Sequence, residues 1–169
     1  MSKRTLSVEE VAQLGMKTNH EQMDNGEYRL RLMNEVDGSG YIRTVAGAKG
    51  EWQKSHFHIG VREFIAVQKG WIAFAQPDEW CGVQVWIIRE GATVISEPNV
   101  PHNIYMSAGT VTHCVKFGDT AAEKVSGQAD WHASPELDKL TKRLTEDQIL
   151  DDSARARRYV GDESDQDTP

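Results

Sequence analysis

A chain of 169 residues with a net charge of −7 and a pI near 5.3 is long enough for one domain with a sizeable core. That acidity argues against non-specific nucleic-acid binding, which needs a basic surface to displace phosphate counterions. No run of about 18 apolar residues is present, which argues against a helical membrane span. The basic start of the chain has no apolar stretch behind it, so no export signal is read and the cytoplasm is the expected location. Of the two cysteines, Cys114 lies in an apolar run and Cys81 does not pair with it in a Cys-x-x-Cys motif, so reduced thiols are expected.

Residues 5–18 carry a helical pattern, opened by a capping box at Ser7 and Glu10 and continued by Val8, Val11 and Leu14. From 28 onward the texture changes to short runs rich in β-branched and aromatic residues. The candidates are Tyr28–Met33, Tyr41–Val45, Phe64–Gln68, Trp71–Ala75, Val83–Ile88, Thr93–Ser96, Asn103–Met106 and Val111–Phe117. Turn residues such as Lys69-Gly70, Glu90-Gly91 and Ala108-Gly109 separate them, the pattern of an antiparallel sandwich or barrel. From 134 the pattern is helical again: Ser134 is a candidate N-cap with Pro135 behind it, and Leu137, Leu140 and Leu144 follow. A second capping box, Thr145 to Gln148, starts another turn. The chain thus divides into an N-terminal helical extension (1–27), a β-core (28–120) and a C-terminal helical segment with an acidic, solvated tail (121–169).

One stretch carries chemistry. Along a strand, side chains alternate, so His56 and His58 project together with Phe57 opposite. After a bend at Gly60, Glu63 can return a carboxylate from the next strand, and His102 follows an apolar strand and a proline-bent turn. Three imidazoles and one carboxylate form a borderline ligand set suited to Fe(II), Mn(II), Ni(II), Co(II) or Zn(II), and too nitrogen-rich for Mg(II) or Ca(II). The same parity sends Lys54 and Trp52 inward, and puts Ile65 and the pair Ile104 and Met106 on pocket walls.

This stretch resembles the cupin superfamily. Gly50, five residues, His56-x-His58, four residues, Glu63, six residues and Gly70 match the first cupin motif at every required position. Gly91, Pro98 and His102 are similar to the second motif. There the proline-to-histidine spacing is one residue short, Val100 or Pro101 stands in place of the usual glycine, and Met106 stands in place of an asparagine. The resemblance covers roughly residues 45–118. It implies a mainly β chain built as a small jelly-roll barrel, with a short N-terminal helix and a C-terminal helical segment. It also implies one divalent metal held by His56, His58, Glu63 and His102, and a homodimer. An uncovered strand edge, which invites pairing, points the same way.

A metal centre with open positions inside an apolar pocket supports three readings. The leading one is a metal-dependent enzyme on a small polar metabolite, an Fe(II)-type dioxygenase. The second is a non-redox isomerase, dehydratase or lyase acting on a sugar or natural-product intermediate, and the third a non-catalytic small-molecule-binding cupin. Lys54, His113 and Tyr105 are the acid/base candidates, and Trp52, Ile65, Ile104 and Met106 the substrate-pocket candidates.

Overall fold

The computed structural model describes residues 4–80, 82–118 and 130–156, with side chains described to residue 151. Cys81, the basic residues Arg157 and Arg158, the side chain of Arg155 and the acidic run from Gly161 onward lie outside the described residues. Helix α1 (Val8–Gln13) precedes strands β1 (Met16–Gln22), β2 (Tyr28–Asn34), β3 (Gly40–Val45), β4 (Glu51–Trp52), β5 (His56–Phe57) and β6 (Val61–Lys69). Then come β7 (Trp71–Pro77), β8 (Val83–Arg89), β9 (Thr93–Ser96), β10 (Asn103–Met106), β11 (Val111–Gly118) and β12 (His132–Ala133). Helices α2 (Pro135–Thr141) and α3 (Glu146–Ala156) end the described chain. No helix among the described residues is long and apolar enough to cross a membrane.

The Ser7–Glu10 capping box forms, but the helix expected over 5–18 ends at Gln13. Gly15 takes φ +84°, a left-handed conformation that stops the helix. Residues 16–22 instead form β1, paired antiparallel with β2 (Thr18 opposite Leu32). An available sheet edge satisfies this segment's backbone groups and overrides its weak local preference. At the other end, Thr145 and Gln148 close their capping box. Ser134 makes no side-chain cap bond; its backbone N–H is committed to the Ser55 carbonyl at 2.9 Å.

All strand pairs are antiparallel. A six-stranded sheet runs β1-β2-β3-β11-β6-β9, a four-stranded sheet β4-β10-β7-β8, and β12 pairs with β5. Between the two larger sheets lies a core of Ile65, Val67, Ile72, Phe74, Ile88, Ile104, Met106 and Cys114. The four-stranded sheet is also covered on its other face, where Trp52, Ala73, Ala75, Val85, Ile87 and Tyr105 meet Ile149 of α3. That double burial is why β7 reads as a continuous apolar run rather than an alternating one. The small side chains of Ala73 and Ala75, both wholly buried, let the helix layer come close.

Ile149 is wholly buried at this junction. Ile149→Ala should therefore cost about 3 kcal/mol of stability, read as a lower urea midpoint at unchanged slope. A loss below about 0.5 kcal/mol, the range of an ordinary surface change, would show that α3 is not docked there.

Candidate metal centre

His56 opens β5 and His58 directly follows it, Glu63 sits on β6, and His102 immediately precedes β10. Reciprocal backbone bonds lock two of the ligand positions: His56 N–H donates to His102 O at 3.0 Å and His102 N–H to His56 O at 2.8 Å. The turn between Ser96 and His102, one residue shorter than the usual motif, is closed by Asn99 at φ 62°, a left-handed position that asparagine tolerates. Asn99 N–H donates to His58 O at 2.6 Å, tying this turn to the first histidine pair. His102 stacks on Phe74, ring centroids 5.6 Å apart.

One donor atom from each of His56, His58, Glu63 and His102 lies within 4.8 Å of the others, and all four residues are buried. Glu63 Oε2 is 3.2 Å from His102 Nε2 and 3.8 Å from His56 Nε2, while Oε1 is 3.5 Å from His58 Nε2. The opposite ring nitrogen decides what those Nε2 atoms are. His56 Nδ1 lies 3.0 Å from Lys54 O, His102 Nδ1 3.1 Å from Val100 O, and His58 Nδ1 meets Asp130 O. A carbonyl only accepts, so each Nδ1 carries the proton and each neutral ring turns a lone pair toward Glu63. Burial holds His56 below the usual imidazole range, although Glu63 pulls the other way. Burial also raises Glu63, but the opposing interactions, led by the Lys116 ammonium, hold the carboxyl well below its ordinary value.

Three lone pairs and a carboxylate converging in a buried space repel one another unless a cation stands among them. The donor set therefore fits a divalent transition metal, with His56, His58, His102 and Glu63 as the holding residues. The structure adds a residue that the ligand spacing did not reveal. Lys116, opposite Glu63 in the β6–β11 register, places Nζ 3.1 Å from Glu63 Oε1 and 3.4 Å from His58 Nε2. The signal was the alternation Thr112, Cys114, Lys116 on one face of β11, in which a lysine follows two core-type residues.

A segment far along the chain braces the centre. The Asp130 carboxylate accepts the backbone N–H groups of Ile59, Gly60 and Val61 at 2.7, 2.9 and 3.1 Å, fixing the turn between His58 and Glu63. Burial raises the Asp130 carboxyl, but these three bonds outweigh it and hold the group low. Asp138 of α2 accepts from Ser55 N–H at 2.9 Å and Ser55 Oγ–H at 2.7 Å, one residue before His56. Trp131 stacks on His56 with ring centroids 5.4 Å apart, and His132 stacks on Phe57.

The centre opens into a cavity of about 950 Å³ that Lys54, Trp52, Ile65, Ile104, Tyr105 and Met106 border. Ile65, Ile104 and Met106 belong to the inner core. Trp52 and Tyr105 lie on the opposite face of their sheet, because residues 53–55 leave the strand and the parity from Trp52 to His56 does not carry through. Gln53 points inward instead, its amide within 3.1 Å of both Glu27 carboxylate oxygens. Tyr105 donates its hydroxyl to Glu146 at 2.6 Å, and burial, then Glu146, push it above the usual phenol range. Lys54 is exposed, and its carbonyl rather than its ammonium acts on the centre. His113 is not brought to the cavity: the strand parity that turns Lys116 inward turns His113 outward, onto Tyr41 Oη at 2.6 Å and Gln68 Oε1 at 2.7 Å.

No protein-family model and no curated protein matches this sequence. Solved structures do match. An oxalate decarboxylase of Lactobacillus farciminis, in a formate complex, aligns with a TM-score of 0.52 and 14% identity, over 82% of this chain and 39% of its own. The Bacillus subtilis oxalate decarboxylase, described with its Mn(II) centres, aligns at 0.51 and 14%, over 79% of this chain and 37% of its own. A Klebsiella pneumoniae protein with a double-stranded β-helix domain aligns at 0.50 and 17%, over 68% and 84%. The fold is a cupin fold. This cupin barrel spans less than two-fifths of the decarboxylase chains, and at these identities the likeness is one of fold.

Burial raises the Asp138 carboxyl, but the Ser55 bonds and Lys142 outweigh it and hold the group low. Its stabilising contribution is therefore complete above the ordinary value of 3.8 and is lost as pH falls through the lower folded value. Asp138→Asn should lower the melting temperature at neutral pH and flatten its decline below about pH 4. Thermal melts across that range check both, and an unchanged acid limb would remove Asp138 from the bracing role.

Proposed function

We propose that this cupin is a metal-dependent enzyme acting on a small polar metabolite, with Fe(II)-type dioxygenase chemistry as the leading reading. The observation that carries it is the complete, buried set of three Nε2 lone pairs and one carboxylate at the end of a cavity walled by Ile65, Ile104 and Met106. A redox-active divalent metal, when bound, supplies open coordination positions and the one-electron chemistry that dioxygen activation requires. The chain's own residues do the rest. Ile65, Ile104 and Met106 put an apolar wall beside the reacting atoms and lower the local polarity there. The carbonyls of Lys54, Val100 and Asp130 hold the three imidazoles in one tautomer and orientation. Trp131, half-exposed and stacked on His56, flanks the mouth.

Lys116 favours a second reading, a non-redox lyase or isomerase. An ammonium 3.1 Å from Glu63 is placed to hold or hand over a proton beside a ligand at the centre. The Mn(II) centres of the Bacillus subtilis oxalate decarboxylase support the same alternative.

Elemental analysis of protein purified without a His-tag or chelator tests the common ground. The wild type should hold about one equivalent of a transition metal, and His56→Ala and His102→Ala should lose it. A wild type that takes up no metal on anaerobic reconstitution would sink the proposal. Oxygen uptake with a metabolite panel then separates the two chemistries: turnover that persists without air and after replacement of iron by Zn(II) or Mn(II) selects the second.

A further inference from the structure

We propose that the centre takes a carboxylate ligand with an apolar body, its carboxylate held by the Lys116 ammonium beside the metal. The proposal rests on the metal reading above and names the substrate class it implies. A divalent metal, the Glu63 carboxylate and the Lys116 ammonium leave the centre with two uncompensated positive charges. The Lys116 side chain is only 15% exposed and that of Glu63 8%, so water screens this excess poorly.

Among the described residues, no other acid bordering the cavity offsets the excess. Glu146 accepts the Tyr105 hydroxyl, and Asp24 and Glu51 are exposed at the periphery. Behind the wall, Glu27 is paired with Arg29 at 3.0 Å and with Gln53, and Asp138 with Ser55 and Lys142. Of the other cavity cations, Arg29, Arg31 and Lys142 are spent on Glu27, Glu21 and Asp138, and Lys54 is exposed to solvent. Lys116 differs from them in being bound to a metal-ligand carboxylate.

The donor count agrees. A lysine ammonium offers three N–H groups. Glu63 Oε1 takes one, and the nearby His58 Nε2 lone pair is one that a metal claims. The remaining donors are available to a ligand in the cavity that Lys116 lines. An incoming carboxylate meets a metal and an ammonium together, and so supplies the missing negative charge where a neutral isostere cannot. The rest of that ligand meets Ile42, Ile65, Ile104 and Met106, which favour an apolar body.

The test uses phenylacetate and its neutral isostere phenylacetamide, titrated by calorimetry into metal-loaded protein whose metal content is measured in parallel. Phenylacetate should bind at least about tenfold more tightly than the amide. Lys116→Gln should lose about tenfold in phenylacetate affinity, keep its metal and bind the amide as the wild type does, while Lys116→Arg retains most of the acid affinity. Should Lys116→Gln fail to fold by circular dichroism, the acid-to-amide ratio of the wild type decides. Metal-loaded wild type that ignores phenylacetate or binds acid and amide equally, or Lys116→Gln that binds the acid undiminished, overturns this proposal and leaves the metal reading standing. A wild type that holds no metal overturns both.

Discussion

Four acceptor groups converge inside this barrel, and the electrostatic cost of that convergence organises what surrounds it. Each imidazole is turned by a backbone carbonyl so that its lone pair faces Glu63, and a neutral ring has no alternative once its Nδ1–H is committed. Lys116 comes across from the neighbouring strand to the same carboxylate. A buried space so furnished is stable only with positive charge in it. The sheets, the short turn at Asn99 and the reciprocal bonds between His56 and His102 hold the donors at that density.

The barrel does not brace the centre alone. The Asp130 carboxylate caps the turn joining two ligands, Asp138 fixes the residue before a third, and Trp131 and His132 lay rings over the His56–His58 strand. Asn103, directly after His102, donates to Thr141 of α2 at 2.8 Å, so the same helix reaches both motif halves. The C-terminal segment thus supplies orientation to the site rather than only cover to a sheet face. That role distinguishes it from α3, whose Ile149 fills the space left by Ala73 and Ala75.

Much of this was legible in the residues. Strand alternation paired His56 with His58, the fixed spacing to Glu63 and Gly70 marked the first half of the centre, and the apolar runs gave a barrel. What failed was parity carried across a break: Trp52 and His56 lie on opposite sides of an irregular stretch, and His113 shares a strand with inward residues but sits on its outward phase. Helical periodicity likewise ran past Gly15, whose left-handed conformation a spacing pattern does not register. Lys116, Asp130 and Asp138 were invisible for another reason. Each acts through a partner 50 residues or more away in sequence, and only register or tertiary docking brings such pairs together.

That separation bears on how the protein is made. The acceptor for His58 lies 72 residues downstream of it, in a segment synthesised after every barrel strand from β1 to β11. A nascent chain can lay down both large sheets before the ring of His58 has its carbonyl and before the turn at Gly60 has its carboxylate. The candidate centre therefore gains its bracing groups only once residues 130–138 have been synthesised, after all the strands that carry its donors.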